Sequence, residues 1–311
     1  MHWPIFVRPT AGNGILLAMT TSAQSSHAPR PARTALNPTG GFLEGFTHSL
    51  QPYIGCRFGC AYCYVQESNV HRFFNGGFAW GDYAFPRQGV AKRLAVELAR
   101  YRRKGRLDSL AIFCSSSTDP YQGAEREWAL TRGCLEAFVA APPGLLVIQT
   151  RSPLVERDFD LLTALGDRCW LSMTLETDRE DVRQALTPQC PSIARRLATI
   201  RAARTAGLNV QVAVSPCLPY TALDDFGGLL VELGQRVVVD SYASGDGQGG
   251  KRTARTSIPD EYTRLGWGDW RAEEAAHSLY GWLSERMGER AGWSQAGFTH
   301  LAHRVTTETA G

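Results

Sequence analysis

The sequence lacks any apolar segment approaching the length of about 20 residues that a membrane-spanning helix requires. Its first residues include a short apolar run at residues 14–18, but they lack the basic leader and long apolar core of a secretory signal. We therefore expect no membrane partner. Residues 19–41 are rich in Ser, Thr, Ala, Pro and Gly, so we expect residues 1–41 to form a flexible leader, and Met19 is a candidate start besides Met1.

The sequence also has little excess charge of either sign. Its 33 Lys and Arg residues against 30 Asp and Glu residues leave a net charge of +3. Proteins that bind nucleic acid usually cluster their basic residues on one face, so this global excess gives only weak support for a polyanionic partner. With 311 residues, 43% of them hydrophobic, the composition is that of a globular protein with one large domain or two small ones.

A fourth cysteine is missing from the most distinctive segment, GCRFGCAYCYVQE at residues 55–67. Cys56, Cys60 and Cys63 lie within eight positions, and the next cysteine along the chain is the distant Cys114. A structural zinc site usually has four ligands, commonly in two pairs. Three thiolates can instead hold a four-iron cluster and leave one iron open to another ligand. A structural metal site is the alternative interpretation.

The other cysteines are scattered along the chain. Disulfide frameworks belong mainly to short secreted chains, and three of the eight cysteines lie in one tight loop, so we expect reduced thiols and a cytoplasmic protein. Four cysteines show no mutual ligand spacing and are interpreted as packing residues: Cys134, Cys169, Cys190 and Cys217.

From about residue 86 the chain alternates helical patterns with short apolar runs. Val90, Leu94 and Leu98 recur at four-residue spacing in the helical pattern of residues 86–105, and residues 108–114 form an apolar run typical of a buried strand. Strands separated by helices of this length imply right-handed crossovers and a parallel sheet. If residues 49–55 form the first strand, the pattern predicts six βα units.

Six βα units fit either a partial barrel or a doubly wound open sheet. The barrel is favoured because the chemically unusual segments follow the strands, where the functional loops of an α/β barrel lie. The predicted fold is therefore α/β, a partial (β/α)6 TIM-type barrel at residues 42–243 with a small C-terminal extension at residues 244–311. Four strand-end segments would meet at one mouth: residues 55–64, 114–122, 150–152 and 174–180.

The CxxxCxxC spacing, with Tyr62 before its last cysteine, resembles the radical S-adenosylmethionine (SAM) superfamily. From about Asn37 to Tyr242, the segments TGGF, THSLQPYIGC, AYCYV, FCSSSTDPYQ, QTRS, LSMTLET and TPQCPSIARRLATIRAARTAGL resemble its spore photoproduct lyase branch, also labelled DNA repair photolyase-like. The resemblance implies a [4Fe-4S] cluster on the three cysteines, SAM as a second cofactor, and an electron donor such as flavodoxin or ferredoxin. It also implies an enzyme that reductively cleaves SAM to a 5′-deoxyadenosyl radical.

The lyase resemblance also implies two catalytic residues. Cys114 stands where that branch carries the cysteine that donates a hydrogen atom to the repaired thymine radical. Tyr62 and Tyr64 match positions linked to SAM packing and radical return, so Tyr64 is a candidate relay and Tyr62 a candidate SAM contact. The competing interpretations are that Cys114 is a small buried apolar residue and that the tyrosines only cover the cluster.

Further SAM contacts are predicted at two strand ends. Ser116 lies in the segment where superfamily members usually hold the SAM amino group, and Arg151 stands where the lyase branch often has lysine. A cation at the barrel mouth can pair with the SAM carboxylate. A simple Ser/Thr turn and a solvated residue at a helix start are the alternatives.

The fourth predicted strand carries an alternation of polar residues. Ser172, Thr174 and Glu176 are spaced by two, so they point to one face of the strand. Polar side chains inside a barrel need partners, which are either SAM or an internal polar network. We expect these three residues to bind the cofactor.

The substrate is the least determined part of the sequence interpretation. Lys251, Arg252 and Arg255 lie in a glycine-rich segment followed by aromatic residues, which resembles a phosphate-contacting loop, although a solvated flexible loop is the more common explanation. The leading hypothesis is a radical SAM enzyme that repairs a DNA photoproduct. The alternatives are a radical SAM enzyme that modifies RNA, a peptide or a metabolite, and a non-catalytic structural metal-binding protein.

Overall fold

A computed structural model describes residues 25–308 of the chain, so the candidate starts Met1 and Met19 lie outside the described residues. The strands are β1 (Arg30–Pro31), β2 (Leu36–Pro38), β3 (His48–Leu50), β4 (Tyr53–Ile54), β5 (Phe85–Gln88), β6 (Ala111–Cys114), β7 (Leu145–Thr150), β8 (Cys169–Thr174), β9 (Asn209–Val214), β10 (Arg236–Val239) and β11 (Ala291–Trp293). The α-helices are α1 (Asn69–Phe74), α2 (Val90–Arg103), α3 (Glu125–Trp128), α4 (Leu130–Ala140), α5 (Phe159–Leu165), α6 (Glu180–Leu186), α7 (Ile193–Thr205), α8 (Leu223–Leu233), α9 (Tyr242–Gly245), α10 (Ile258–Leu265), α11 (Glu274–Met287) and α12 (Ser294–Glu308).

The main sheet has eight strands in the order β11-β10-β9-β8-β7-β6-β3-β2. Every neighbouring pair is parallel except β2 with β3. The strand order follows the sequence without the reversal that a doubly wound sheet contains, so right-handed crossovers place their helices on one face. The predicted α/β partial barrel is therefore confirmed, and the doubly wound alternative is wrong.

The six predicted βα units would give six parallel strands, but the main sheet contains a seventh. This strand is β11, whose residues Ala291 and Trp293 lie opposite Val237 and Val239 of β10. It comes from residues 244–311, which the sequence assigned to an extension outside the barrel. The alternation rule missed β11 because the strand is only three residues long. The proposed domain boundaries themselves stay predictions.

The end of the predicted leader is ordered against the barrel in the structure. Leu36 pairs with Leu50 at the edge of the main sheet. The backbone N–H groups of Ala35 and Leu36 donate to the two carboxylate oxygens of Glu97 on α2, at 3.0 and 2.8 Å. The composition of residues 25–41 suggested a flexible segment, but in the structure long-range hydrogen bonds attach this segment to the barrel.

The predicted first strand, residues 49–55, is divided between two sheets. Its start belongs to β3 of the main sheet, and its end belongs to β4, which pairs antiparallel with β5 in a small three-stranded sheet. Pro52 separates the two parts, and proline has no N–H to continue a ladder of hydrogen bonds. The split turns the chain out of the barrel just before the cysteine segment.

The first predicted helix is confirmed from Val90 onward. Val90, Leu94 and Leu98 are fully buried, as their spacing predicted. The start is later than expected, because residues 86–88 belong to β5 and Gly89 adopts the left-handed conformation with φ +78°. A glycine tolerates this conformation, in which the chain turns from strand to helix.

The barrel packs its two faces differently. The outward side chains of the parallel strands pack against α2, α4, α5, α7, α8 and α11 in the larger apolar core. The inward side chains, such as Val147 and Val238, pack against Phe298 and Leu301 of α12. The C-terminal helix therefore fills part of the concave face and leaves the carboxyl ends of the strands for a cavity. Within residues 25–308, no helix combines the length and apolarity needed to cross a bilayer.

Candidate active site

A cavity of about 460 Å³ lies at the carboxyl ends of the parallel strands. It is lined by residues that end or follow several strands: Ser115 to Asp119 after β6, Arg151 after β7, Thr174 at the end of β8, Ser215 after β9, and Asp240 after β10. Cys56, Cys60 and Cys63 line the same cavity. The strand-end segments therefore converge at one mouth, as expected for a barrel.

The cysteine loop is shaped by close backbone packing. Gly55 adopts φ +85°, and a Cβ atom there would lie 2.3 Å from the ring of Tyr83, so only glycine fits. Farther along, the N–H of Cys63 donates to the carbonyl oxygen of Cys60 at 3.0 Å. Cys56 and Cys60 are buried, and Cys63 is partly exposed. The loop thus brings all three sulfur atoms to the cavity wall.

The surroundings of the three cysteines in this loop raise the pKa of each thiol. Burial raises the pKa of Cys63 to about 11 and that of Cys56 still further. A hydrogen bond with Cys190, together with burial, raises the pKa of Cys60. Cysteine binds metal as thiolate, and a bound cation favours the deprotonated form. In the described part of the chain, no three His, Cys, Asp or Glu side chains are gathered closely enough to hold a single metal ion.

Glu176 is the centre of a buried ionic network beside the cysteine loop. Its carboxylate accepts hydrogen bonds from Arg151 Nη1 at 2.6 Å and from Arg196 Nη1 at 2.5 Å. The Tyr62 hydroxyl also donates to Glu176, and Arg151 Nη1 lies 3.1 Å from Cys60 Sγ. Burial alone raises the pKa of Glu176, but the two guanidinium groups outweigh it and lower the pKa to about 2. The network therefore joins three sequence-predicted residues to Cys60, a predicted cluster ligand.

The other predicted cofactor contacts divide into two groups. Ser116 and Thr174 line the cavity, and the Ser116 hydroxyl accepts a hydrogen bond from Gln51 Nε2 at 2.9 Å. Ser172 shares the inward face of β8 with Thr174, but it is fully buried and does not line the cavity. Its hydroxyl accepts from Gln211 Nε2 at 3.1 Å. Ser172 thus lies in an internal polar network, the alternative that the sequence left open.

The structure separates the two predicted catalytic residues. Tyr64 lines the cavity, and its hydroxyl donates to the carbonyl oxygen of Ser116 at 3.3 Å. Cys114 is 2% exposed and packs in the outer apolar core. Side chains alternate along β6, so Phe113 faces the cavity while Cys114 faces the helices. We expected Cys114 and Tyr64 to share a cavity, but only Tyr64 lines it. The role of Cys114 as hydrogen donor stays a prediction, and its position in the outer core does not support that role.

Sequence reasoning missed Cys190, which was interpreted as a packing residue. Its Sγ lies 3.7 Å from Cys60 Sγ, and it is 5% exposed. Although burial raises the pKa of Cys190, the hydrogen bond with Cys60 and the charge of Arg151 lower it to about 7. The two cysteines are far apart in the sequence, so no ligand spacing could have revealed the contact.

Two buried carboxyl groups at the cavity were also missed. Asp119 accepts hydrogen bonds from the Thr150 hydroxyl at 2.7 Å and from the backbone N–H of Arg151 at 3.0 Å, so it fixes the end of β7. Asp240 accepts from the Ser215 hydroxyl at 3.1 Å, and burial raises its pKa to about 7. A signal was present for both, because each follows an apolar strand directly or within a few residues.

The glycine-rich segment after β10 is folded around Asp246. Its carboxylate accepts four backbone N–H groups between residues 248 and 253, at 2.7 to 3.2 Å. Arg252 lines the cavity, with its guanidinium 5.9 Å from the centre of the Tyr64 ring. Lys251 and Arg255 are exposed beside it. The segment therefore forms an ordered cationic rim (residues 251–255), whereas the sequence favoured a solvated flexible loop.

Two buried polar atoms at the cavity wall have no hydrogen-bond partner among residues 25–308. They are Trp80 Nε1, a donor, and Gln149 Oε1, an acceptor. Leaving a buried polar atom unpaired costs about 1–3 kcal/mol, so the cavity suits a ligand that offers both an acceptor and a donor. Three thiols beside an indole N–H are a fitting set for an iron–sulfur cluster, whose sulfur atoms accept hydrogen bonds. The residues present therefore fit the predicted cofactors.

The fold and this site define a class of protein, a partial α/β barrel with a three-cysteine loop at the carboxyl ends of its strands. A family model of the Radical SAM superfamily matches residues 50–232, which is more than half of the chain. The chain therefore belongs to the radical SAM superfamily, whose members use a [4Fe-4S] cluster and SAM and need a reductant. The superfamily assignment made from the cysteine motif is confirmed.

Curated relatives with similar sequences are described as uncharacterised. A protein of Mycobacterium tuberculosis is 30% identical over 207 residues, which cover 65% of this chain and 58% of the relative. A protein of Acidianus two-tailed virus is 33% identical over 177 residues, covering 53% of this chain and 54% of the relative. The matches thus span little more than half the length of these relatives.

Solved structures of spore photoproduct lyase share the fold. One variant of that enzyme has a TM-score of 0.60 and 15% identity, covering 85% of this chain and 80% of the other. A second variant, with bound AdoMet and dinucleoside spore photoproduct, gives the same values. At this identity the likeness shows a common fold.

Proposed function

We propose that the protein holds a [4Fe-4S] cluster with Cys56, Cys60 and Cys63 and reductively cleaves SAM to a 5′-deoxyadenosyl radical. The observation that carries the proposal is the cavity at the strand ends, which the three thiols line together beside a buried ionic network. When bound, the cluster and SAM supply the radical chemistry, because an electron passed to the sulfonium releases methionine and the radical. A cytoplasmic setting and a flavodoxin or ferredoxin reductant belong to the same proposal.

The residues around the cavity would bind and orient SAM. Arg151 would pair with the SAM carboxylate, and the Glu176 carboxylate holds the Arg151 guanidinium in place at 2.6 Å. Ser116 and Thr174 line the same wall and offer hydroxyl groups. The Tyr62 hydroxyl donates to Glu176, so Tyr62 would act on SAM through this network as well as by packing. Glu176, Tyr62 and Arg196 are buried, so this side of the site would exclude water from bound SAM.

We further propose a photodamaged DNA substrate, as in a photoproduct lyase. Arg252 of the cationic rim lines the cavity, and Lys251 and Arg255 of the same rim are exposed, so the three side chains could neutralise phosphate groups of a bound strand. The fold shared with a lyase variant that holds a dinucleoside spore photoproduct supports the same substrate class. Such a lesion would have to be extruded from the duplex to reach a cavity of about 460 Å³.

A second candidate substrate class is RNA, a peptide or a metabolite. The observation that favours it is the outward orientation of Cys114, which leaves the cavity without the thiol that the lyase resemblance implied as hydrogen donor. A radical enzyme that returns the hydrogen atom to its substrate from 5′-deoxyadenosine would need no such thiol. Both substrate classes use the same cluster and SAM site.

The cofactor proposal is tested by anaerobic reconstitution with iron and sulfide, followed by absorption and electron paramagnetic resonance (EPR) spectroscopy. Alanine at Cys56, Cys60 or Cys63 should abolish the signal of the reduced cluster, whereas the control Cys134→Ala, a buried cysteine of the outer core, should retain it. Full SAM-responsive clusters in all three loop variants would contradict the ligand assignment. A protein that binds zinc and assembles no cluster would favour the structural metal-binding alternative.

The substrate proposal is tested separately by product analysis with the reconstituted enzyme. Oligonucleotides with a defined photoproduct should return to the undamaged bases in a SAM-dependent reaction, and undamaged DNA is the control. SAM cleavage without any change in the photoproducts, with turnover on an RNA, peptide or metabolite, would favour the second substrate class.

A further inference from the structure

Cys190 is held in a fixed position between α6 and α7. Its backbone N–H donates to the carbonyl oxygen of Thr187 at 2.9 Å, and its own carbonyl oxygen accepts from Arg183 Nη1 at 2.9 Å. Arg183 is 8% exposed and also donates to the carbonyl oxygens of Thr187 and Pro188. The Arg183 guanidinium therefore holds three carbonyl oxygens of this turn in place. Because the backbone is fixed at Cys190, the direction of its side chain is fixed as well.

This turn docks on the cysteine loop. The N–H of Ala61 donates to the carbonyl oxygen of Leu186 at 2.9 Å, which joins the loop to the end of α6. Beside this contact, Cys60 Sγ and Cys190 Sγ lie 3.7 Å apart. That separation suits a hydrogen bond between sulfur atoms and is far longer than a disulfide bond of about 2.05 Å. Arg151 Nη1 lies 3.1 Å from the first sulfur and 3.9 Å from the second.

We propose that Cys190 is a positioning residue of the cluster site, donating its S–H to the sulfur of Cys60 and thereby raising the reduction potential of the cluster. The inference rests on the proposed function, in which Cys60 is a cluster ligand. In the cluster-free protein either thiol can be the donor. Once Cys60 binds iron it has lost its proton and can only accept, so the hydrogen between the two sulfur atoms then comes from Cys190. A hydrogen bond to a ligand sulfur stabilises the reduced cluster, which carries one more negative charge.

The proposal predicts a potential change that simple loss of a buried cysteine would not produce. Cys190→Ala removes the donor, whereas Cys190→Ser keeps a hydroxyl that can donate in its place. The matched control is Cys169→Ala, because Cys169 is also buried (4% exposed) but packs in the outer core. Each variant is reconstituted, its iron content per chain is measured, and the cluster is titrated anaerobically while the reduced form is followed by EPR.

In Cys190→Ala we expect full iron content. At a fixed solution potential, the ratio of reduced to oxidised cluster should be about tenfold lower than in the unsubstituted protein. A tenfold change in this ratio corresponds to a decrease of about 59 mV in the midpoint potential of a one-electron couple. Cys190→Ser should recover part of the change, and Cys169→Ala should show none. An unchanged potential in a fully loaded Cys190→Ala protein would overturn the proposal, and so would a loss of iron, which would make Cys190 a ligand instead of a donor.

A second measurement tests the contact between the two thiols without the cluster. Diamide takes two electrons and two protons from a pair of adjacent thiols, so it should join Cys60 to Cys190 in the cluster-free protein, as detected by mass spectrometry of unreduced peptides. A product in which Cys60 pairs only with Cys56 or Cys63 would overturn the geometry. Failure of the unsubstituted protein to assemble any cluster would overturn the proposed function and this inference together, whereas a loaded protein with an unchanged potential overturns only the inference.

Discussion

Replacing Glu176 with glutamine should lower the free energy of unfolding by about 3 kcal/mol at neutral pH. Glu176 is 2% exposed, and its carboxylate is hydrogen-bonded to both Arg151 and Arg196. Glutamine keeps the shape of the side chain but leaves the two guanidinium groups without an anionic partner. Breaking a buried ion pair by removing one partner costs about 3–5 kcal/mol, because an uncompensated charge stays buried.

The pKa of Glu176 leads to a similar magnitude and adds a pH dependence. Despite the opposing effect of burial, the two guanidinium groups lower this pKa from the ordinary value of 4.5 to about 2. This difference corresponds to about 3 kcal/mol. Because the pKa is lower in the folded protein than in the unfolded chain, the stabilisation is fully present above about pH 5 and is lost as the pH falls toward 2. The cost of Glu176→Gln should therefore shrink over that range.

The assay is urea unfolding of the cluster-free protein at pH 7 and at steps down to pH 3, comparing the unsubstituted chain with Glu176→Gln. The control is Glu232→Gln, which removes an exposed carboxylate paired with Arg201 and should cost less than about 0.5 kcal/mol at every pH. A cost below about 1 kcal/mol for Glu176→Gln at pH 7, or a cost that does not change between pH 7 and 3, would refute the assigned network.

Three further substitutions follow from the site. Cys114→Ala should lower the free energy of unfolding by about 1 kcal/mol and leave the reaction product unchanged, because Cys114 packs in the outer core; an abnormal adduct in the product analysis would restore its donor role. Trp80→Phe removes an unpaired buried N–H at the cavity wall and should weaken SAM binding or cluster retention, measured on the reconstituted protein. Unchanged retention and SAM affinity would show that the indole does not contact the cofactors. Arg252→Gln should reduce the salt dependence of DNA binding, measured by fluorescence anisotropy, by about one phosphate contact, and an unchanged salt slope would remove Arg252 from the interface.

The sequence was sufficient wherever a signal is local. The spacing of Cys56, Cys60 and Cys63 identified the superfamily, because a loop that must present three sulfur atoms to one cluster restricts their separation along the chain. The burial of Val90, Leu94 and Leu98 followed from helical periodicity. The alternation of strands and helices likewise predicted a parallel sheet, since a parallel connection requires a crossover.

Local sequence patterns gave wrong predictions where pairing with neighbouring strands decides which sheet a segment joins or which face a side chain occupies. The segment at residues 49–55 reads as one strand, but the missing N–H of Pro52 divides it between two sheets. Cys114 ends a strand as predicted, yet the face that it occupies depends on the register of β6 between its neighbours β3 and β7. A shift of one residue would turn Cys114 toward the cavity, because side chains alternate with a period of two.

By itself, the sequence determined the cysteine loop, the type of sheet and the superfamily, because each is encoded over a few residues or by a regular repeat. Only the tertiary structure decided which distant groups share the cavity. The turn after α6 brings Cys190 into contact with Cys60. Glu176 forms ion pairs with Arg151 and Arg196, which lie on separate elements. A buried charge or thiol acquires its partners from the packing of several elements, and spacing along one segment carries no information about such contacts.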